Sequence, residues 1–282
     1  MGTEREVVIN DPRLLEEVSE EAARGSVADT YADIRRVLGV PMVVFVYRAL
    51  AASPGRLERV WSVLRPSLVS VATQRNAESL DASTPGAVIP VDTEVLERAR
   101  VSPRGLAVTL DAFDRANRLN LIGLEALLAG TRGDQAADRT EAQLSPTPAE
   151  MLPMANLNSL EPHTHALLQM MSARIAGPER PILIPSLFRY FAHDEGLLRA
   201  IWRSIGPVVE HGRFPESVAS VRTRACELSS RLPYPVPSVD DGGTREITSR
   251  VAAMIPGMIV TTKLLRLAFA GHLSGPTERL QP

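Results

Sequence analysis

Asp114 and Asn117 lie three residues apart in a stretch of helical periodicity, so their side chains point to roughly the same side of a helix. A carboxylate beside an amide can take a proton and hold a polar substrate, which makes Asp114 a candidate general base. A salt-bridged surface aspartate is the other reading. His193 is a second candidate for proton transfer, against a plain boundary residue, while Asp194 reads as the N-cap of the next helix. Arg48 and Arg189 suit either a bidentate pair with a ligand carboxylate or buried structural ion pairing. His163-Thr164-His165 raises the question of a metal, but residues two apart diverge on a helix and no further ligand follows nearby. Cys226 falls in a helical pattern with Leu228 and Leu232 and is expected to serve packing.

No glycine-rich phosphate loop, nucleophile-elbow serine or zinc signature is present, and Asp240-Asp241-Gly242-Gly243 reads as a turn before a helix. No metal or nucleotide cofactor is therefore expected. The 31 basic and 33 acidic residues leave a net charge of −2, which argues against a nucleic-acid or anionic-membrane partner and leaves a small molecule. A single cysteine excludes an intramolecular disulfide framework. No uninterrupted apolar run approaches the length of a membrane-spanning helix, and Met1–Gly25 is acidic and polar. Neither a membrane span nor a signal peptide is therefore expected, and the default compartment is the cytoplasm.

The elements that must position these groups are helical. Aromatics make up only 4% of the 282 residues, no run alternates in the manner of strands, and the class is all-α. A firm helical pattern starts near Ala28. Ser53-Pro54 is expected to cap and begin a helix that kinks at Pro66, and Ser102-Pro103 repeats that start signal. Further helices are expected at about 160–176, 181–193, 195–209, 213–231 and 245–272. The implied organisation is a flexible segment at 1–27, a helical repeat at 28–130, a linker at 131–159, a second repeat at 160–274 and a flexible tail at 275–282.

The repeat is explicit in the sequence. A shift of 141 places Trp61 on Trp202, Arg48 on Arg189, Ala51 on Ala192, Gly55 on Gly196, Leu57 on Leu198 and Pro66 on Pro207. Carried onward, it sets Leu124 on Leu265 and Asn117 on Met258. Two tandem helical repeats related by a pseudo-twofold axis, with a ligand cavity between them, are the expected architecture.

Three groups of residues carry a family resemblance: Thr30-Tyr31-Ala32-Asp33-Ile34-Arg35, Val40 to Phe45, and Arg48 to Gly55. With Ala112 to Asn117 and Ser186-Leu187-Phe188, they make the chain similar to the group I 2-haloacid dehalogenases (the DehI type) over about residues 28 to 272. The resemblance implies an all-helical pseudo-dimer of tandem repeats, often itself a homodimer, with the site between repeats. It also implies hydrolysis of D- and L-2-haloalkanoic acids, in which an aspartate activates water for direct attack with inversion and no covalent ester forms.

Carried over residue by residue, the resemblance puts Leu187 where the family holds its aspartate base, between Ser186 and Phe188. A family threonine and glutamate correspond to Ser70 and Gln74, the active-site asparagine to Asn117, pocket-wall aromatics to Met42 and Phe45, and a pocket tyrosine to Gly257. Leucine takes no proton, and a positioned base contributes about 10²–10⁴ in rate. Three readings follow. The chain is a diverged relative whose cavity binds a small or medium apolar carbonyl or carboxylate compound, with Asn117, Ser70, Gln74 and Ser186 on the polar end and Met42, Phe45, Leu187 and Phe188 on the wall, for a cyclisation, elimination or isomerisation. Or it is a 2-haloacid dehalogenase with Asp114 or His193 as a relocated base. Or it is a ligand binder without catalysis.

Overall fold

The structure, a computed structural model, describes residues 16–143, 151–176 and 183–273. Twelve α-helices and a 3₁₀ turn at Leu157–Ser159 account for the regular structure there, with no strand beyond two isolated β-bridges. The helices are α1 (Gly25–Leu38), α2 (Phe45–Ala51), α3 (Arg56–Leu68), α4 (Val71–Ser79), α5 (Thr93–Arg98) and α6 (Pro103–Ala129). After the connecting segment come α7 (Pro162–Ala176), α8 (Ser186–Arg189), α9 (Glu195–His211), α10 (Phe214–Ser229), α11 (Gly242–Ala268) and α12 (Ala270–Leu273).

The two longest helices, α6 and α11, form the centre, and no other pair packs more extensively. Ser102 caps α6 by accepting from the Gly105 amide at 3.0 Å, with Pro103 in the first turn, where its missing N–H costs nothing. Asp241 caps α11 by accepting from the Gly243 and Thr244 amides at 3.3 and 3.1 Å. Residues Leu119 to Leu127 of α6 and Ile255 to Thr262 of α11 are buried on every side, which is why both helices read as apolar all round. By length and composition α11 would suffice to cross a membrane, with mean hydropathy 1.5, yet 72% of that window is buried inside the fold.

The other helices wrap this pair. α1 packs on α3, and α7 on α9. Among the contacts between N-terminal and C-terminal helices, α2 packs on α11, and α8 on α6. α2 and α8 begin at Phe45 and Ser186, which the shift that aligns Trp61 with Trp202 also superimposes.

Several expectations need correction. Ser53 and Pro54 lie in a turn, and α3 starts at Arg56 because Gly55 takes the left-handed conformation (φ +69°), which glycine adopts cheaply. α3 then runs through Pro66 to Leu68 without a break. The expected helix at 181–193 shrinks to Ser186–Arg189 followed by a turn; Pro185 disfavours helical backbone at Ile184, and residues 181 and 182 lie outside the described residues. α1 begins at Gly25; residues 1–15 of the expected flexible segment lie outside the described residues, and residues 16–24 hydrogen-bond to the fold. There the Val18 amide donates to the Arg48 carbonyl at 3.1 Å, the Tyr31 hydroxyl to the Val18 carbonyl at 2.8 Å, and the Val43 amide to Glu20 Oε1 at 2.7 Å. The Cys226 residue is exposed, one step off the buried stripe of Val221, Ala225 and Leu228; partial desolvation by its neighbours, and then Glu125, raise its thiol pKa. The tail at 275–282 lies outside the described residues.

Candidate functional site

Four helical segments surround a cavity of about 40 Å³ at the centre of the fold, room for roughly three water molecules at 10–15 Å³ each. α2 contributes Phe45 and Val46 with Val44 before it, and α8 contributes Ser186 and Leu187 with Pro185 before it. α6 presents Phe113, Asn117 and Asn120, spaced four and three residues apart along one face. α11 presents Val251, Met254, Ile255 and Met258 in the same manner. No aspartate, glutamate, histidine, lysine, tyrosine or cysteine is among these lining residues.

The polar groups of the wall are two amides and a hydroxyl, and their surroundings fix what each offers. Asn120, 2% exposed, accepts at Oδ1 from the Tyr47 hydroxyl at 2.7 Å, which leaves its Nδ2 protons for the cavity. Tyr47 is fully buried, packs edge-to-face on Trp61 with ring centroids 5.5 Å apart, and burial raises its phenol pKa, so it stays a neutral donor. Ser186 Oγ receives Arg48 Nη2 at 3.4 Å. With that side occupied by a donor, the Ser186 proton is available to the cavity. Asn117 has no hydrogen-bond partner for its side chain among the described residues. The arrangement can therefore donate to a carbonyl or carboxylate oxygen, and Phe45, Phe113, Leu187, Met254 and Ile255 enclose the apolar remainder.

Most of the lining falls into pairs at the spacing seen in the sequence. The shift that carries Trp61 onto Trp202 also carries Val44 onto Pro185, Phe45 onto Ser186 and Val46 onto Leu187. On the central helices it carries Phe113 onto Met254 and Asn117 onto Met258. One partner in two of these pairs is polar and the other apolar, so the cavity has a polar side near Asn117 and Ser186.

Of the residues singled out from the sequence, Phe45, Asn117, Ser186 and Leu187 come together here, and the others lie elsewhere. Asp114 lines a separate polar groove with Gln74, Glu78, Arg115 and Arg118, and pairs with Arg118 at 3.0 Å. On α6 the step from Asn117 back to Asp114 turns the carboxylate out of the cavity. His193 is exposed, with Nε2 2.9 Å from the Pro153 carbonyl. Ser70 caps α4, accepting from the Thr73 amide at 3.2 Å and donating to the Ser67 carbonyl at 2.7 Å. Gln74 donates to the Leu68 carbonyl at 2.7 Å and accepts from Arg115 Nη2, so its amide is spent on structure. Met42 and Phe188 are buried in the core outside the lining. Gly257 faces α7: a side chain there would start 3.1 Å from Ile175. His163 pairs with Glu195, and no cluster of three His, Cys, Asp or Glu suited to a metal occurs among the described residues.

Sequence reasoning missed Asn120, Phe113 and Met258. Asn120 was within reach, because it stands three residues after Asn117 on the same helix face, and the 141-residue shift already set Met258 against Asn117.

No family model matches the chain. It is 34% identical over 65 residues to an (R)-2-haloacid dehalogenase of Pseudomonas putida, a match spanning 23% of this chain and only about a fifth (22%) of that relative's length. The fold is that of D-2-haloacid dehalogenase. A mutant of that enzyme superposes with TM-score 0.75 at 16% identity, covering 93% of this chain and 96% of the other. Its complex with L-LA gives TM-score 0.75 at 16% identity over 93% and 97%, and a mutant complex with D-2-CPA gives 0.75 at 17% over 93% and 96%. Together the likenesses support a DehI-type relationship.

Proposed function

We propose that the chain binds a small carbonyl or carboxylate compound in the central cavity, between two pseudo-twofold repeats, and that it lacks the base for hydrolytic dehalogenation. The observation that carries this reading is a wall with three neutral hydrogen-bond donors and no titratable side chain. Water needs an acceptor for its proton to become a useful nucleophile, and Leu187, fully buried on that wall, offers none. The paired lining positions, the reciprocal packing of α2 on α11 and α8 on α6, and the central α6–α11 contact support the repeat relation.

The chemistry that fits such a site is orientation and exclusion of water, as in a cyclisation, elimination or isomerisation. Met254 and Met258 are unbranched and adaptable, so the wall can accommodate a ligand of a few carbons in a cavity this tight. A cytoplasmic location and a homodimeric assembly belong to the same proposal. Calorimetric titration with 2-chloropropionate tests it. Binding to the parent chain is expected, weakened about tenfold in Asn117→Ala. Equal binding by parent and variant overturns the assignment.

A second reading, retained 2-haloacid hydrolysis with a relocated base, is favoured by the likeness to the haloacid dehalogenases. It requires a carboxylate or imidazole to reach the cavity, and both Asp114 and His193 are engaged outside it.

A further inference from the structure

Behind the polar side of the cavity lies a charge arrangement that no lining residue reveals. Arg48 is 3% exposed on α2, and Arg189 holds the equivalent position on α8. Both reach the same carboxylate: Arg48 Nη2 lies 3.1 Å from Glu17 Oε2, and Arg189 Nη1 lies 3.6 Å from Glu17 Oε1. The nearby Glu20 pairs with Arg35, and Glu21 is exposed. Among the described residues, one carboxylate thus pairs directly with two guanidiniums, and this trio carries an excess of one positive charge.

We propose that Arg48 and Arg189, sharing the carboxylate of Glu17, determine the charge preference of the cavity, so that it takes the ionised form of a ligand over its neutral isostere. The inference rests on the cavity being the ligand site. Two links carry the charge to the ligand. Arg48 donates to Ser186 Oγ at 3.4 Å, which directs the serine proton away from the arginine and into the cavity. The surplus charge also acts through a low-dielectric interior, where it is screened far less than in water. Burial lowers the Arg189 pKa; Glu17 opposes that shift, and the charge of Arg48 adds to it more weakly. Glu17 is the setting residue, because its carboxylate offsets half of the positive pair.

Binding of 2-chloropropionate and of 2-chloropropionamide, nearly isosteric and differing by one charge, reads this directly. The parent chain is expected to bind the acid about tenfold more tightly than the amide. Arg189→Gln should bring the ratio close to one by weakening the acid alone, Arg189→Lys should keep it, and Glu17→Gln should raise it. A structural role for the arginine would instead weaken both molecules together, and that result overturns the proposal. Equal binding of acid and amide to the parent chain overturns it too, while leaving the cavity reading intact. If neither molecule binds the parent chain, the cavity reading fails and this inference with it. Should Arg189→Gln not fold, the acid-to-amide ratio of Glu17→Gln decides: a rise supports the proposal and no change overturns it.

Discussion

The Tyr47 hydroxyl donates to Asn120 Oδ1 at 2.7 Å, and this one hydrogen bond determines which end of the Asn120 amide faces the cavity. Without it the amide is free to turn its oxygen inward and meet a ligand carbonyl with the wrong polarity. Tyr47→Phe keeps the ring packed against Trp61 and removes only the donor. We expect a loss of about 1–3 kcal/mol in stability from the unsatisfied buried oxygen. Ligand affinity should fall with it. Denaturant unfolding and calorimetry measure the two separately, and unchanged values for both would show that Asn120 does not depend on Tyr47.

Three buried tyrosines make the fold sensitive to alkali. Burial raises the phenol pKa of Tyr31, Tyr47 and Tyr190, the last to about 12. In the unfolded chain a phenol releases its proton near pH ~10. Above that pH the unfolded state has lost protons that the folded state still holds, so raising the pH favours unfolding. The melting temperature is expected to stay level up to about pH 9 and to fall from about pH 10 upward. Tyr47→Phe should fall less steeply. A melting temperature constant to pH ~12 would contradict this assignment.

Gly257 is a packing residue. A Cβ there would sit 3.1 Å from both Ile175 Cγ2 and the Ile175 carbonyl oxygen, so any side chain larger than glycine must push α7 back by a few tenths of an ångström. Gly257→Leu is expected to destabilise the chain by about 1–3 kcal/mol or more through overpacking. Gly257→Ala should cost less, and a variant with parental stability would mean the two helices can separate freely.

The helices were legible because their caps and periodicity are local: Ser102-Pro103 and Asp194 each start a helix where the sequence puts them, while α11 starts at Gly242, inside the expected turn. Part of the cavity was legible too, since Phe45, Asn117, Ser186 and Leu187, four of its thirteen lining residues, converge on it. Ser70 and Gln74 were expected as ligand contacts because the resemblance sets them at a family threonine and glutamate, but helix capping and an arginine claim them, and these are demands that only the packed structure reveals. Asp114 failed for a different reason. At about 100° per residue, Phe113 and Asn120 fall on one side of Asn117 around the helix and Asp114 falls on the other, which places the carboxylate beside Arg118 in another groove. Glu17 was hidden because its partners, Arg48 on α2 and Arg189 on α8, lie far along the chain in different halves of the fold.

Chloride release from both enantiomers of 2-chloropropionate, by the parent chain and by Leu187→Asp, tests the central claim most directly. The account predicts no release by the parent chain, because nothing on the cavity wall takes a proton from water, and measurable release once a carboxylate is placed at position 187. Efficient release by the parent chain, unaffected by substitution at Leu187, would contradict it.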